Sequence, residues 1–130
     1  MKKILIIEDE PDIRDMFVEA LIEEGFEAIG AKNGLVGIQM IREYLPCLII
    51  CDVTMPELDG YQVLTTLRQN PATTTIPFIF MSALSGEAER YEAMRLGANY
   101  YLAKPCTVEK LLETIAKFFD STNGTNLRIS

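Results

Sequence analysis

The feature that most constrains the fold is a set of short, uninterrupted apolar runs, each separated from the next by a helical pattern. Three runs are clear, at residues 4–7, 47–51 and 78–81, and they are rich in Ile or Phe. Strands that are apolar at every position are usually covered on both faces, as in a parallel sheet between two helix layers. Two less clear runs, at residues 26–31 and 99–103, bring the number of predicted strands to five.

The segments between these runs carry apolar residues at helical spacing. One stripe consists of Ile13, Met16, Phe17, Ala20 and Leu21, and another of Val108, Leu111, Leu112, Ile115, Ala116 and Phe119. Residues typical of helix boundaries agree with this pattern, namely Pro11, Asn33, Ser85 and Thr107 at predicted starts and Gly25 at the first end. Five alternations of strand and helix, joined by right-handed crossovers, predict an α/β doubly wound (βα)5 sandwich with a parallel sheet.

Length and charge limit the classes of protein to which this chain can belong. A chain of 130 residues that is 48% hydrophobic can bury the core of one domain. A net charge of −7 without a basic cluster argues against direct binding of nucleic acid. No apolar stretch approaches the roughly 20 residues of a membrane span, and the apolar run after the N-terminal lysines is too short for a signal peptide. We therefore expect a soluble, cytoplasmic protein without membrane contact.

Two further features of composition bear on function. The chain contains no histidine, so its chemistry must use carboxylates, lysine or hydroxyls. Its three cysteines lack metal-ligand spacing and are typical of free thiols in a reducing compartment. The polar composition from Ser121 onward predicts a domain at residues 1–120, followed at residues 121–130 by a flexible tail or the start of a linker.

Acidic residues follow two predicted strands at the point where each strand ends. Glu8 and Asp9 follow the first strand, and Asp52 follows the third. In a sheet ordered 2-1-3-4-5, these ends flank the crevice in which open α/β sheets bind ligands. Each acid alone would be typical of a turn or a helix cap. Together they would repel one another unless a cation lay between them, and such oxygen ligands suit Mg²⁺.

A lysine and a hydroxyl are predicted at the same edge of the sheet. Lys104 follows the fifth strand and Ser82 follows the fourth. Taken singly, such a lysine is usually solvated and such a serine usually belongs to a turn. Beside a magnesium site, however, they are the groups that neutralise and hold a phosphoryl group.

These residues lie in four segments whose order and spacing resemble a known family: ILIIEDE, CDVTMPELDG, FMSA and LGANYYLAKP. From residue 2 to residue 119 the chain is similar to response-regulator receiver domains of two-component signalling, which resemble CheY and have a flavodoxin-like fold. The resemblance implies that Asp52 accepts a phosphoryl group from a histidine kinase or phosphotransfer protein, with Mg²⁺ as cofactor. Asp9 and Asp52 would bind the metal directly, Glu8 through water and Thr54 through its backbone carbonyl. Lys104 would pair with the phosphoryl group.

The resemblance also implies a switch and two docking surfaces. Ser82 would hydrogen-bond the phosphoryl group, and Tyr101 would turn inward to fill the space that Ser82 leaves. The domain would catalyse only its own phosphorylation and dephosphorylation, and would not be an enzyme in the ordinary sense. A partner protein would contact the fourth helix, fifth strand and fifth helix, including Arg90, Ala93, Arg95, Glu109 and Lys110. The kinase would dock on the first helix, at Pro11, Asp12 and Met16.

Two alternative functions stay open. A phosphatase that forms an aspartyl phosphate with small molecules would carry a second acid where this chain has Thr54. A receiver-like interaction module that no longer takes phosphate usually lacks one of the acids or the lysine, and this chain has them all. Thr54 and Leu84 offer neither an acid nor an amide to orient water, which predicts slow dephosphorylation of a receiver.

Overall fold

The computed structural model describes residues 2–84 and 86–124, and the side chains among these as far as residue 119. Strands and helices alternate along the described chain, as the apolar runs predict. The strands are β1 (Lys3–Ile7), β2 (Glu27–Ala31), β3 (Leu48–Asp52), β4 (Phe78–Ser82) and β5 (Tyr100–Ala103). The helices are α1 (Pro11–Glu23), α2 (Gly34–Tyr44), α3 (Gly60–Gln69), α4 (Glu87–Arg95) and α5 (Val108–Gly124).

The strands form one sheet in the order β2-β1-β3-β4-β5, and all neighbouring strands are parallel. The chain therefore has the predicted flavodoxin-like, doubly wound α/β fold. The connection direction reverses between β1 and β3, which pair with Ile7 opposite Cys51. The C-terminal ends of these two strands consequently border the same crevice.

Each face of the sheet packs against its own layer of helices. Because successive side chains of a strand point to opposite faces, Ile4 and Ile6 belong to one core, and Leu5 and Ile7 belong to the other. The first core contains residues of α1 and α5, and the second contains residues of α2, α3 and α4. Every residue of β3 and β4 is buried, which explains why their sequences are continuously apolar up to the last position.

Most predicted helix boundaries are confirmed. Asn33 accepts a hydrogen bond from the backbone N–H of Val36 at 2.8 Å, and Thr107 accepts one from that of Lys110 at 3.0 Å. Gly25 follows the end of α1 with a φ of +98°, a conformation that favours glycine.

Two boundaries differ from expectation. Gly86, and not Ser85, is the N-cap residue of α4, and Ser85 lies outside the described residues. The acids Glu87 and Glu89 in the first turn of α4 stabilise this helix start electrostatically without a capping side chain. At the other end, α5 continues to Gly124, whereas composition placed the start of the tail at Ser121; residues 125–130 lie outside the described residues.

No helix in the described part of the chain combines the length and apolar character that crossing a membrane requires.

Candidate functional site

Three carboxylates meet at the C-terminal edge of the sheet. Glu8 and Asp9 follow β1, and Asp52 is the last residue of the adjacent strand β3. One carboxylate oxygen from each residue lies within 4.8 Å of the others. Glu8 and Asp52 are buried and Asp9 is half-buried, so solvent screens the repulsion between the like charges only weakly. The structure thus brings together the three acids that the sequence analysis assigns to one crevice.

Lys104 bridges two of these acids. Its Nζ atom lies 3.0 Å from Oε1 of Glu8 and 3.2 Å from Oδ2 of Asp52. The Lys104 backbone N–H donates to the carbonyl of Ser82 at 2.8 Å, and the peptide bond between Lys104 and Pro105 is cis. A lysine that is 96 residues from Glu8 in sequence therefore supplies the positive charge of the crevice.

Burial dominates the protonation behaviour of the two bridged acids. Desolvation raises the pKa of Asp52 above its ordinary value of 3.8; Lys104 acts in the opposite direction without cancelling this effect, and Asp9 adds to the increase. Desolvation likewise raises the pKa of Glu8, although hydrogen bonds from Lys104 and the Glu10 backbone oppose the increase. The acids accordingly gain from a nearby cation.

The pKa of Lys104 is also raised. Desolvation alone would lower it, but the hydrogen bonds and charges of Glu8 and Asp52 together outweigh that effect. Lys104 is therefore fully charged at neutral pH.

Ser82 and Tyr101 are connected through the backbone of Leu84. The Oγ atom of Ser82 accepts a hydrogen bond from the Leu84 N–H at 2.9 Å, and the Tyr101 hydroxyl donates to the Leu84 carbonyl. Tyr101 is only 2% exposed, whereas neighbouring Tyr100 is 40% exposed. The ring of Tyr101 thus already occupies the inward position into which it was expected to turn.

The turn after Asp52 is fixed by the start of α3. Asp59 and Gln62 form a reciprocal capping box, in which each side chain accepts from the backbone N–H of the other. Gly60 donates its N–H to the carbonyl of Val53 at 2.8 Å. Thr54 is exposed at this turn, and its backbone N–H hydrogen-bonds the carboxylate of Asp52.

Two residues near the crevice were not identified from the sequence as parts of the site. Gly60 ends the quoted segment CDVTMPELDG but was given no role there, yet it packs against the backbone of Asp52. Arg14 was not singled out, yet its Nη1 atom donates to the carbonyl oxygen of Glu8 at 2.9 Å. No local sequence signal distinguishes this arginine from a solvated one on the same helix.

The predicted docking residues are exposed with one exception. Pro11, Asp12 and Met16 are exposed on α1, and so are Arg90, Arg95, Glu109 and Lys110 on α4 and α5. Ala93 was expected on the output surface but is 0% exposed, so that expectation was wrong. The helical position of Ala93 points into the core between α4 and the sheet.

The donor set fits a hard divalent cation. Three carboxylates, two of them with pKa values raised by burial, supply oxygen ligands and an excess of negative charge over the single lysine. Mg²⁺ is typically bound by one or two carboxylates together with water and phosphate oxygens. The crevice could therefore hold such an ion.

Comparison with known proteins agrees with this architecture. The family model described as response regulator receiver domain matches residues 4–116. The chain is 34% identical to the chemotaxis protein CheY of Bacillus subtilis, with 88% of this chain and 95% of that protein aligned. The crystallised chemotaxis protein CheY4 of Vibrio cholerae has a TM-score of 0.86 at 26% identity, over 90% of this chain and 98% of that one.

Longer relatives match as well. The chain is 35% identical to a protein of Cyanophora paradoxa described as probable transcriptional regulator ycf27; 98% of this chain aligns, but only 56% of that protein. The chain thus spans about half the length of this relative. The chain belongs to the response regulator receiver domain family of two-component systems.

Proposed function

We propose that Asp52 accepts a phosphoryl group from a histidine kinase or a phosphotransfer protein in a reaction that depends on Mg²⁺. The observation that carries the proposal is the position of Asp52, whose carboxylate lies 3.2 Å from Lys104 and within 4.8 Å of the Glu8 and Asp9 carboxylates. Receiver domains typically bind Mg²⁺, and response regulators interact with histidine kinases and downstream targets.

In this reaction the phosphoryl group moves from a nitrogen atom of the donor histidine to a carboxylate oxygen of Asp52. A carboxylate oxygen of Asp52 attacks the phosphorus of a phosphohistidine, the P–N bond breaks, and its electron pair leaves with the imidazole nitrogen of the donor. Lys104 turns its ammonium group from the Asp52 carboxylate to the phosphoryl oxygens, so the charge that accumulates on them is neutralised. Bound Mg²⁺ would supply further positive charge to those oxygens.

The remaining crevice residues hold the reactants. Asp9 and Asp52 would bind the metal directly, Glu8 through a water molecule, and Thr54 through its backbone carbonyl. Glu8 suits an indirect role because its two carboxylate oxygens already accept from Lys104 and from the Glu10 N–H.

The signal would leave the crevice through Ser82. Its hydroxyl would donate to a phosphoryl oxygen while it accepts from the Leu84 N–H, and Leu84 in turn accepts from Tyr101. A change at Ser82 would thereby alter the surface of α4, β5 and α5, which a downstream protein reads through Arg90, Arg95, Glu109 and Lys110.

Covalent labelling tests this proposal. The wild type and Asp52→Asn would be incubated with a small phosphodonor and Mg²⁺, with and without a chelator, and their intact masses compared. We expect one added phosphate that disappears with the substitution or with the chelator. Asp12→Asn makes the same chemical change on the exposed face of α1 and should label like the wild type.

The same experiment separates the alternatives. An unlabelled wild type, under conditions that label a known receiver, would refute the proposal and favour an interaction module. Rapid release of many equivalents of phosphate without a lasting label would instead indicate a phosphatase.

A further inference from the structure

Arg14 connects the first turn of α1 to the end of β1. Its Nη1 atom donates to the backbone carbonyl of Glu8 at 2.9 Å, six residues earlier in the chain. Its backbone N–H donates to the carbonyl of Glu10, also at 2.9 Å. These contacts enclose the short connection between strand and helix that carries both Glu8 and Asp9.

Arg14 completes the hydrogen bonding of a buried acid. Glu8 is 2% exposed, its N–H donates to the carbonyl of Ala31 at 3.0 Å, and its carboxylate accepts from Lys104 and Glu10. The carbonyl of Glu8 is the remaining polar group, and Arg14 satisfies it with a charge-assisted hydrogen bond.

The path of the Arg14 side chain depends on a glycine in the neighbouring strand. A Cβ atom at Gly30 of β2 would lie 2.9 Å from Cγ and 3.0 Å from Cδ of Arg14. The stem of the arginine therefore crosses β2 in the space that a side chain at Gly30 would fill. The contact between Arg14 and Glu8 thus involves three elements, α1, β1 and β2.

We propose that Arg14 is a positioning residue for the acidic crevice: it holds residues 8–10 so that Glu8 and Asp9 face Asp52 in the geometry that a divalent cation requires. The inference rests on the proposed function. The reason is electrostatic, because three neighbouring carboxylates repel one another and residues 8–10 lie outside any strand or helix. Without the tether, that connection relaxes by moving the acids apart, and a cation must then draw them together again at the expense of affinity.

Mg²⁺ affinity measured by calorimetry on the full chain tests the inference directly. Loss of a residue that orients metal ligands typically weakens metal binding by about 10-fold to 100-fold. We expect Arg14→Ala to weaken Mg²⁺ binding by about 10-fold, and Arg14→Lys, which keeps the charge but loses the planar fork, to recover only part of it. Gly30→Ala keeps the guanidinium and displaces it, so it should weaken binding in the same direction.

Arg42→Ala is the matched control. Arg42 is exposed in the last turn of α2, and its removal changes the net charge by the same amount as Arg14→Ala. We expect its Mg²⁺ affinity to equal that of the wild type. Far-ultraviolet circular dichroism and thermal melting of each variant show whether it is folded at the temperature of the titration.

The outcomes separate this inference from the proposed function. If the wild type binds Mg²⁺ and Arg14→Ala binds equally well, Arg14 has at most a structural role and the inference is wrong, while the proposed function stands. If Arg14→Ala does not fold, wild-type affinity in Gly30→Ala overturns the inference and weaker binding supports it. If the wild type itself does not bind Mg²⁺, both the proposed function and the inference fail.

Discussion

A side-chain carbon at Gly60 would lie 2.5 Å from the backbone carbonyl oxygen of Asp52. The first residue of α3 therefore packs directly on the last residue of β3. The same carbon would lie 2.9 Å from the ring of Phe80 and 3.0 Å from Cα of Val53, so the contact is tight on several sides. The proposed phosphoacceptor is thus held by a helix start that admits no side chain.

Gly60→Ala should consequently destabilise the fold. Its nearest neighbours include backbone atoms, which cannot rotate away, and overpacking of this kind costs about 1–3 kcal/mol. Urea denaturation would measure the loss in the free energy of unfolding. Gly86→Ala is the comparison, because the added carbon there meets only the flexible end of Glu89 and the remaining cost is the smaller one of replacing a glycine N-cap by alanine. Equal effects of the two substitutions would contradict the proposed close packing.

The stability of the metal-free protein should depend on pH through Asp52. Since burial raises its pKa, the folded chain keeps the proton to a higher pH than the unfolded chain does. Stability therefore falls as the pH rises from the ordinary value of 3.8 through the raised folded value, and the penalty is constant above that window. Glu8 acts in the same direction from its ordinary value of 4.5.

Asp52→Asn removes the ionisation and should therefore melt at a higher temperature than the wild type at neutral pH in the presence of a chelator. The difference should shrink as the pH falls toward and below 3.8, because the wild-type carboxyl then becomes protonated in both states. A neutral-pH melting temperature of Asp52→Asn below that of the wild type would mean that the attraction of Lys104 exceeds the cost of burial.

The hydroxyl of Tyr101 should contribute measurably to stability. It donates to the Leu84 carbonyl, and the guanidinium of Arg90 lies 5.7 Å from the centre of its ring. Tyr101→Phe should lower the free energy of unfolding by about 1 kcal/mol, the usual contribution of such a hydrogen bond. Tyr100→Phe alters an exposed hydroxyl on the next residue and should leave stability nearly unchanged. Comparable losses in the two variants would argue against the inward hydrogen bond.

Dephosphorylation of the labelled protein should be slow, and substitutions at positions 54 and 84 should accelerate it. Thr54 and Leu84 are both exposed after the strands that carry Asp52 and Ser82, and neither side chain can orient water for attack on phosphorus as an acid or amide can. The double variant Thr54→Asn, Leu84→Glu should lose its phosphate about 10-fold faster, which corresponds to a barrier lower by about 1.4 kcal/mol. The decay of the labelled mass with time measures this rate, and an unchanged decay would refute the hypothesis.

How much of the fold could be predicted depends on how far apart in the sequence the interacting residues lie. The runs before Glu8 and Asp52 are continuously apolar because both faces of their strands are covered, and this is visible in a few consecutive residues. The caps Asn33 and Thr107 bond to residues three positions away, so their signals are local as well. Ser85 was a plausible cap by the same criterion, but the acids that follow let α4 begin one residue later.

The candidate site was predictable only in part. Its acids and Lys104 stand at strand ends, and the topology of a parallel sheet brings strand ends together whatever the details of packing. Arg14 and Gly60 do not stand at strand ends, and their importance depends on which backbone atoms lie nearby in the folded chain. The exposure of Ala93 was misjudged for a related reason, since the weak apolar pattern of α4 does not reveal which face meets the sheet.

The alternation of strands and helices, the class of fold and the set of acidic and basic residues at one edge of the sheet can all be predicted from the sequence. These follow from hydrophobic periodicity and from residue types at strand ends, and both can be recognised in short stretches of consecutive residues. Three contacts depend on how the whole chain folds: Lys104 bridges Glu8 and Asp52, Tyr101 is buried against the Leu84 carbonyl, and Arg14 crosses β2 at Gly30. Such contacts join segments that are distant in the chain, and their distances are set by packing of the whole domain, which no local pattern encodes.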